Sequence, residues 1–143
     1  MIRIIAGGKK HQSWADEAIA EYEKRLHKPY NIAWEFIEED KLNKKLQNWP
    51  FTGNDYVIIC DERGKNISSD EYSLLLQNAI NSSKNIIILI GGAYGFPAEI
   101  REKANFLWSF SNLVFPHQIA RLLVAEQIYR ASEIQKGSHY HHA

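Results

Sequence analysis

Apolar positions along this chain gather into five short runs, with stretches of helical period between them. Residues 85–90 (NIIILI) form the most strongly apolar, β-branched run and show no alternation. A strand of that kind is covered on both faces, the mark of a parallel sheet flanked by helices. Residues 55–60 (DYVIIC) predict a second central strand, ending in a polar turn at 61–65 where Gly64 closes the bend. Residues 3–6 (RIIA) predict a short buried strand, closed by Gly7 and Gly8. In residues 31–37, Ile32, Trp34 and Phe36 oppose Ala33, Glu35 and Ile37, and only one side is uniformly apolar. That alternation places the strand nearer the sheet edge. The fifth run is 106–109.

Between the runs lie helices. In residues 12–27, Trp14, Ala15, Ala18, Ile19, Tyr22 and Leu26 recur at helical spacing, and Pro29 ends the element. The charged stretch 38–48 carries only Leu42 and Leu46, which predicts a peripheral helix. Ser68 and Glu71 have capping-box spacing, and Tyr72, Leu75, Leu76, Ala79 and Ile80 form the inner stripe of the helix they open. Pro97 suits the first position of a short helix. A longer helix runs from Pro116 to about Lys136. Its apolar residues Ile119, Ala120, Leu122, Leu123, Val124, Ala125, Ile128 and Tyr129 cover more than one face. The surplus predicts a second covering surface, most simply the same helix of a homodimer partner.

Two connections depart from ordinary wiring. Residues 109–121 (SFSNLVFPHQIAR) stay apolar through Leu113, Val114 and Phe115, whereas solvated loops are polar. Something must cover them: a ligand, the rest of the fold or a second subunit. Residues 91–96 begin with Gly91 and Gly92, which allow a ligand close to the backbone. Both stretches follow buried strands, as does 60–65, and ligands of open α/β sheets bind beyond the carboxyl ends of strands.

Composition narrows the classes. The 143 residues predict one domain, 1–143, with a core large enough to need no staples. Lys plus Arg and Asp plus Glu number 17 each, so RNA binding must come from local patches or shape. The single cysteine, Cys60, excludes an intramolecular disulfide and suits a small buried strand residue. No apolar run approaches the length of a membrane span and the N-terminus lacks a secretory pattern, so the expected location is cytoplasmic, with no membrane partner.

Motifs exclude further classes. Neither G-x-G-x-x-G after the first strand nor G-x-x-x-x-G-K-[ST] is present, which weakens dinucleotide and nucleoside triphosphate chemistry. His139, His141 and His142 have no nearby carboxylate or thiol in the sequence, so no metal site is expected. The tail suits a segment ordered over the active site, with Tyr140 and a histidine at the substrate. His117 and Arg121 share a face beside the apolar loop, and either reaches a pocket or serves the structure. Glu126 and Arg130 have the spacing of a helix ion pair. Asp61, Glu62 and Arg63 read as a solvated turn.

The strand and loop IGGAYGF, the segment SFSNLVFPHQIARLLVAEQIYRA and the terminal Tyr140-His141 pair together resemble the ribosomal RNA large subunit methyltransferase H family, of the SPOUT class. The resemblance spans the whole chain. It implies an α/β fold with a C-terminal trefoil knot, a homodimer, and S-adenosylmethionine bound by Cys60, Gly92, Ser111, Asn112, Leu113, Val114, Phe115 and Pro116. The implied reaction is methylation of N3 of a pseudouridine in 23S rRNA, on the assembled ribosome. Tyr140, His141 or His142 would orient the base or assist proton loss, with Arg121 and His117 near substrate and cofactor. The alternatives are a non-catalytic ribosome-binding dimer that keeps the pocket, and a flavodoxin-like FMN carrier.

Overall fold

The computed structural model describes residues 1–142; Ala143, the end of the tail considered above, lies outside them. The five apolar runs become one sheet of five parallel strands in the order β2-β1-β4-β3-β5. They are β1 (Ile2–Gly7), β2 (Ile32–Ile37), β3 (Asp55–Lys65), β4 (Asn85–Ile90) and β5 (Phe106–Trp108). The unbroken run of β4 lies between β1 and β3, and the alternating β2 is an edge, as expected.

Each strand supplies alternate residues to two apolar layers. Ile4, Ile58 and Ile88 face one layer, closed by α1 (Ser13–Glu23), α3 (Ser69–Asn81) and α5 (His117–Lys136). Ile5, Ile59, Ile87 and Leu89 face the other, closed by α2 (Glu39–Gln47) and α4 (Ala98–Arg101). The stretch expected to be a peripheral helix is therefore a cover for the sheet: Leu42 and Leu46 are both buried. Two leucines one turn apart suffice because α2 is short and its other face is solvated.

Helix boundaries differ from expectation in ways that local bonds explain. The first helix ends at Glu23, not His27. The amides of Arg25 and Leu26 bond three residues back, to Tyr22 and Glu23, tightening the chain so that Leu26 tucks inward from a turn. Ser68 caps α3 with the reciprocal Glu71 bond that its spacing predicted. Leu75 and Ile80 are only half-buried, and Ser73 takes the inner place through a bond from Oγ to the Ala131 carbonyl at 2.9 Å. Pro97 and Pro116 each sit one residue before the helix they introduce.

The largest departure is at 61–65. The expected turn is a continuation of β3 that bulges: Cys60 and Lys65 both register with Trp108, and 61–64 bow outward between them. Gly64 makes this possible, since a Cβ there would strike the Leu107 carbonyl of β5.

Candidate functional site

The bulge, the loop after β4 and the loop after β5 leave the same end of the sheet. They enclose a cavity of about 640 Å³, completed by the start of α5 at His117 and Ala120. Its position beyond the carboxyl ends of three parallel strands is the usual ligand position in open α/β sheets. One wall is Cys60 with Asp61, Glu62 and Arg63; the second is Ile90 to Gly95; the third runs from Trp108 through Phe115 and Pro116.

Each wall is fixed from behind. Trp108 stacks on Tyr72 of α3 with ring centroids 4.1 Å apart, and Phe110 meets Trp108 edge-on at 4.7 Å. Ser109 donates from Oγ to the Ser111 carbonyl, and the Leu113 amide donates to Ser111 Oγ, both at 2.9 Å. These short bonds shape the loop while leaving Leu113 70% and Val114 80% exposed. On the opposite rim Tyr94 is 98% exposed. Asp61, far from being a solvated turn residue, has a buried carboxylate that accepts from the Arg63 amide at 2.9 Å and pairs with its guanidinium at 3.3 Å. Burial, and then the adjacent Asp61, push the Cys60 thiol pKa well up, so it stays protonated and serves as wall.

All the residues assigned to a cofactor from the sequence line this cavity except Asn112, which is exposed outside it. Gly92 carries the Glu39 carboxylate where a Cβ would stand. Of the five side chains expected near the chemistry, His117 lines the cavity and the other four do not. Arg121 is fully buried and donates to the carbonyls of Gly7 and Lys9, each at 2.9 Å. Of the two roles left open for it, the structure places it in the second, bracing the exit of β1.

The tail docks on α5 and α3 of its own chain. Tyr140 rests edge-on against Tyr129 at 4.8 Å, and His141 lies between Arg130 and Asp70, while His142 is exposed. That place is six to ten residues along α5 from Ala120, roughly 9 to 15 Å at about 1.5 Å per residue. Burial, followed by the Glu126 carboxylate, pushes the Tyr140 phenol up to about 12. The expected Glu126–Arg130 pair is present at 3.1 Å. Asp70 was not legible as a tail contact, because in the sequence it is only an acidic residue in a first helical turn. Among the described residues no group of three or more His, Cys, Asp or Glu could hold a metal ion, and no helix is long and apolar enough to cross a membrane.

An open parallel sheet with a roomy, partly apolar cavity at its carboxyl edge defines a ligand-binding α/β protein. Residues 1–141 match the family model described as a predicted SPOUT methyltransferase. The chain belongs to the SPOUT methyltransferases and, among them, to the ribosomal RNA large subunit methyltransferase H family. The protein of that name from Caldicellulosiruptor bescii is 36% identical over 158 residues, covering 99% of each chain. Its counterpart from Caldicellulosiruptor saccharolyticus is 37% identical over 154 residues, again covering 99% of each. The one from Prochlorococcus marinus (strain MIT 9515) is 39% identical over 142 residues, covering 99% of this chain and 96% of the relative. A methyltransferase family implies a methyl-donor cofactor.

Proposed function

We propose that this protein is an S-adenosylmethionine-dependent methyltransferase acting on N3 of a pseudouridine in 23S rRNA of the large ribosomal subunit, on the assembled ribosome. The observation that carries the reading is the cavity at the ends of β3, β4 and β5, built from the segments whose sequence resembles the family's cofactor loops. Its size lies within the roughly 300–1,000 Å³ of small-molecule pockets. Its walls suit the group: Leu113, Val114 and Phe115 offer apolar surface to an adenine, and Gly91 and Gly92 line the cavity beside them.

Bound there, S-adenosylmethionine supplies a methyl group already activated on a sulfonium. The chain's own task is to hold donor and base in line, exclude water and see the N3 proton away. His117 stands at the cavity and is placed to contact either partner. Tyr140 and the terminal histidines orient the base or assist the proton. Arg121 serves the site from behind, through the β1 exit: the position of a Cβ on Gly7 would lie 3.2 Å from the Gly92 amide nitrogen.

A homodimer belongs to this reading. The docked tail does not line the cavity of its own chain. Trp14 and Ile119 remain exposed beside the junction where the Gln12 amide donates to Gln118 Oε1 at 3.1 Å. Pairing α5 with its symmetry mate covers such side chains and brings one tail toward the other cavity. The reading also includes a single domain over 1–143, a trefoil knot formed by the C-terminal loops, and action in the cytoplasm.

Two measurements test it together. Calorimetry should show S-adenosylmethionine binding, and the purified protein should transfer methyl to ribosomes carrying unmethylated pseudouridine but not to free rRNA. Binding without transfer would favour the non-catalytic ribosome-binding dimer; absence of binding would remove the cofactor assignment.

A further inference from the structure

Outside the cavity, the densest convergence of chemically versatile side chains is where the tail meets α3 and α5. Gly137 ends α5 in the left-handed conformation, with φ of 71°. The amides of Gly137 and Ser138 bond back to the carbonyls of Ile134 and Glu133, at 3.0 and 3.1 Å. This Schellman arrangement reverses the chain and lays the tail along its own helix. Tyr140 then packs under the Arg130 guanidinium, 4.9 Å from its ring centroid. Glu126 receives both the Arg130 Nε–H, at 3.1 and 3.2 Å, and the Tyr140 hydroxyl, at 3.5 Å.

His141 is held at both ring nitrogens. Arg130 Nη1 stands 3.0 Å from Nδ1, and Asp70 Oδ2 stands 3.3 Å from Nε2. A guanidinium has donors and no acceptor. Nδ1 must therefore offer its lone pair, which leaves the hydrogen on Nε2, where the Asp70 carboxylate accepts it. Two helices thus select one tautomer of one imidazole, and the remaining charged and phenolic groups around it are Glu126 of α5, Tyr140 of the tail and Tyr22 of α1, which faces Tyr140 and Arg130.

We propose that Asp70 and Arg130 are positioning residues of the methyl-transfer reaction: they hold His141 as the Nε2–H tautomer and so set the conformation of the segment carrying Tyr140 and His142. The proposal rests on the reading above that the tail belongs to the site. In this arrangement His141 has no free nitrogen, so it anchors and orients, and the N3 proton leaves by another group. Asp70 also lies in the first turn of α3, where a carboxylate favours the helix dipole. That purely structural role is what the test must separate.

Full-length protein labelled with 15N-histidine, studied by long-range 1H–15N correlation, reports the tautomer directly, with His141 assigned by its loss in His141→Asn. Wild type should show the Nε2–H pattern at His141. Asp70→Ala should shift it toward a tautomer mixture, and Asp70→Glu should restore it. In parallel, Asp70→Ala should lower kcat for ribosome methylation roughly ten- to hundred-fold, the scale of a misplaced catalytic group, with S-adenosylmethionine affinity within about twofold of wild type. Asp70→Asn removes the charge that favours the helix dipole but keeps an oxygen that can accept from Nε2–H, so it should retain most of the Nε2–H pattern and of kcat. An Nδ1–H pattern in wild type, or a pattern unmoved by Asp70→Ala, overturns the tautomer assignment. A shifted tautomer with unchanged kcat overturns the positioning role while leaving the enzyme reading intact. Absence of transfer by wild type overturns the enzyme reading, and the positioning role with it, whatever the spectra show.

Discussion

The Arg121 guanidinium donates to the Gly7 carbonyl at 2.9 Å across 114 residues of sequence, joining the start of the last helix to the end of the first strand. Among the described residues it has no salt-bridge partner. Burial lowers its pKa, and the field of Glu39 opposes that. Replacing it with methionine keeps the volume but strips the Gly7 and Lys9 carbonyls of their donor. We expect a loss of about 2–4 kcal/mol in denaturant unfolding, since buried groups left unpaired cost about 1–3 kcal/mol each. Lysine, which cannot span both carbonyls, should recover only part. Wild-type stability in Arg121→Met would show that the brace is dispensable.

Gly64 lies against the backbone of Leu107 and Trp108, where no side chain can give way. Gly64→Ala should push the β3 bulge off β5, displacing the cavity wall at Asp61 to Arg63. A lower melting temperature and weaker S-adenosylmethionine binding are expected together. A folded variant that binds normally would detach the bulge from the site.

Leu113 is exposed on the cavity rim, so Leu113→Asp removes apolar cover at little cost to folding. The expected outcome is a tenfold or greater loss of S-adenosylmethionine affinity by calorimetry, about 1.4 kcal/mol. Unaltered affinity in a folded dimer would exclude this residue from the pocket.

The Tyr140 phenol titrates at about 12 instead of 10.0. Its folded pKa is raised, so the stability linked to its neutral form is complete below pH 10 and disappears as pH rises toward 12. Burial also raises Tyr30, Tyr56 and Tyr72, so absorbance titration near 295 nm should show several late-ionising phenols, of which one is lost in Tyr140→Phe. The absence of that difference would mean the tail is not docked in solution.

Much of the fold was legible because strand and helix periods are local properties of side-chain order. The unbroken run of β4 and the alternating β2 announced a central and an edge strand, and Ser68 with Glu71 announced a helix start. The loops around the cavity were legible too, as segments that follow buried strands, although Leu113 and Val114 stay exposed at its rim. The Asp61 wall was not, because a polar pentapeptide with a glycine has the same composition as a turn. Only the approach of β5, with Ser109 donating to the Lys65 carbonyl at 3.1 Å, makes it a bulged strand.

Residue order is enough for the parallel α/β class, the loops that enclose the cavity and the family, since each depends on neighbours in the chain. Tertiary structure alone decided the work of Arg121, Asp70 and Arg130. Burial turned one arginine inward to carbonyls more than a hundred residues away, and a left-handed glycine laid the tail where a carboxylate and a guanidinium meet one imidazole. Hydrogen bonds act over about 3 Å of space and are indifferent to distance along the chain.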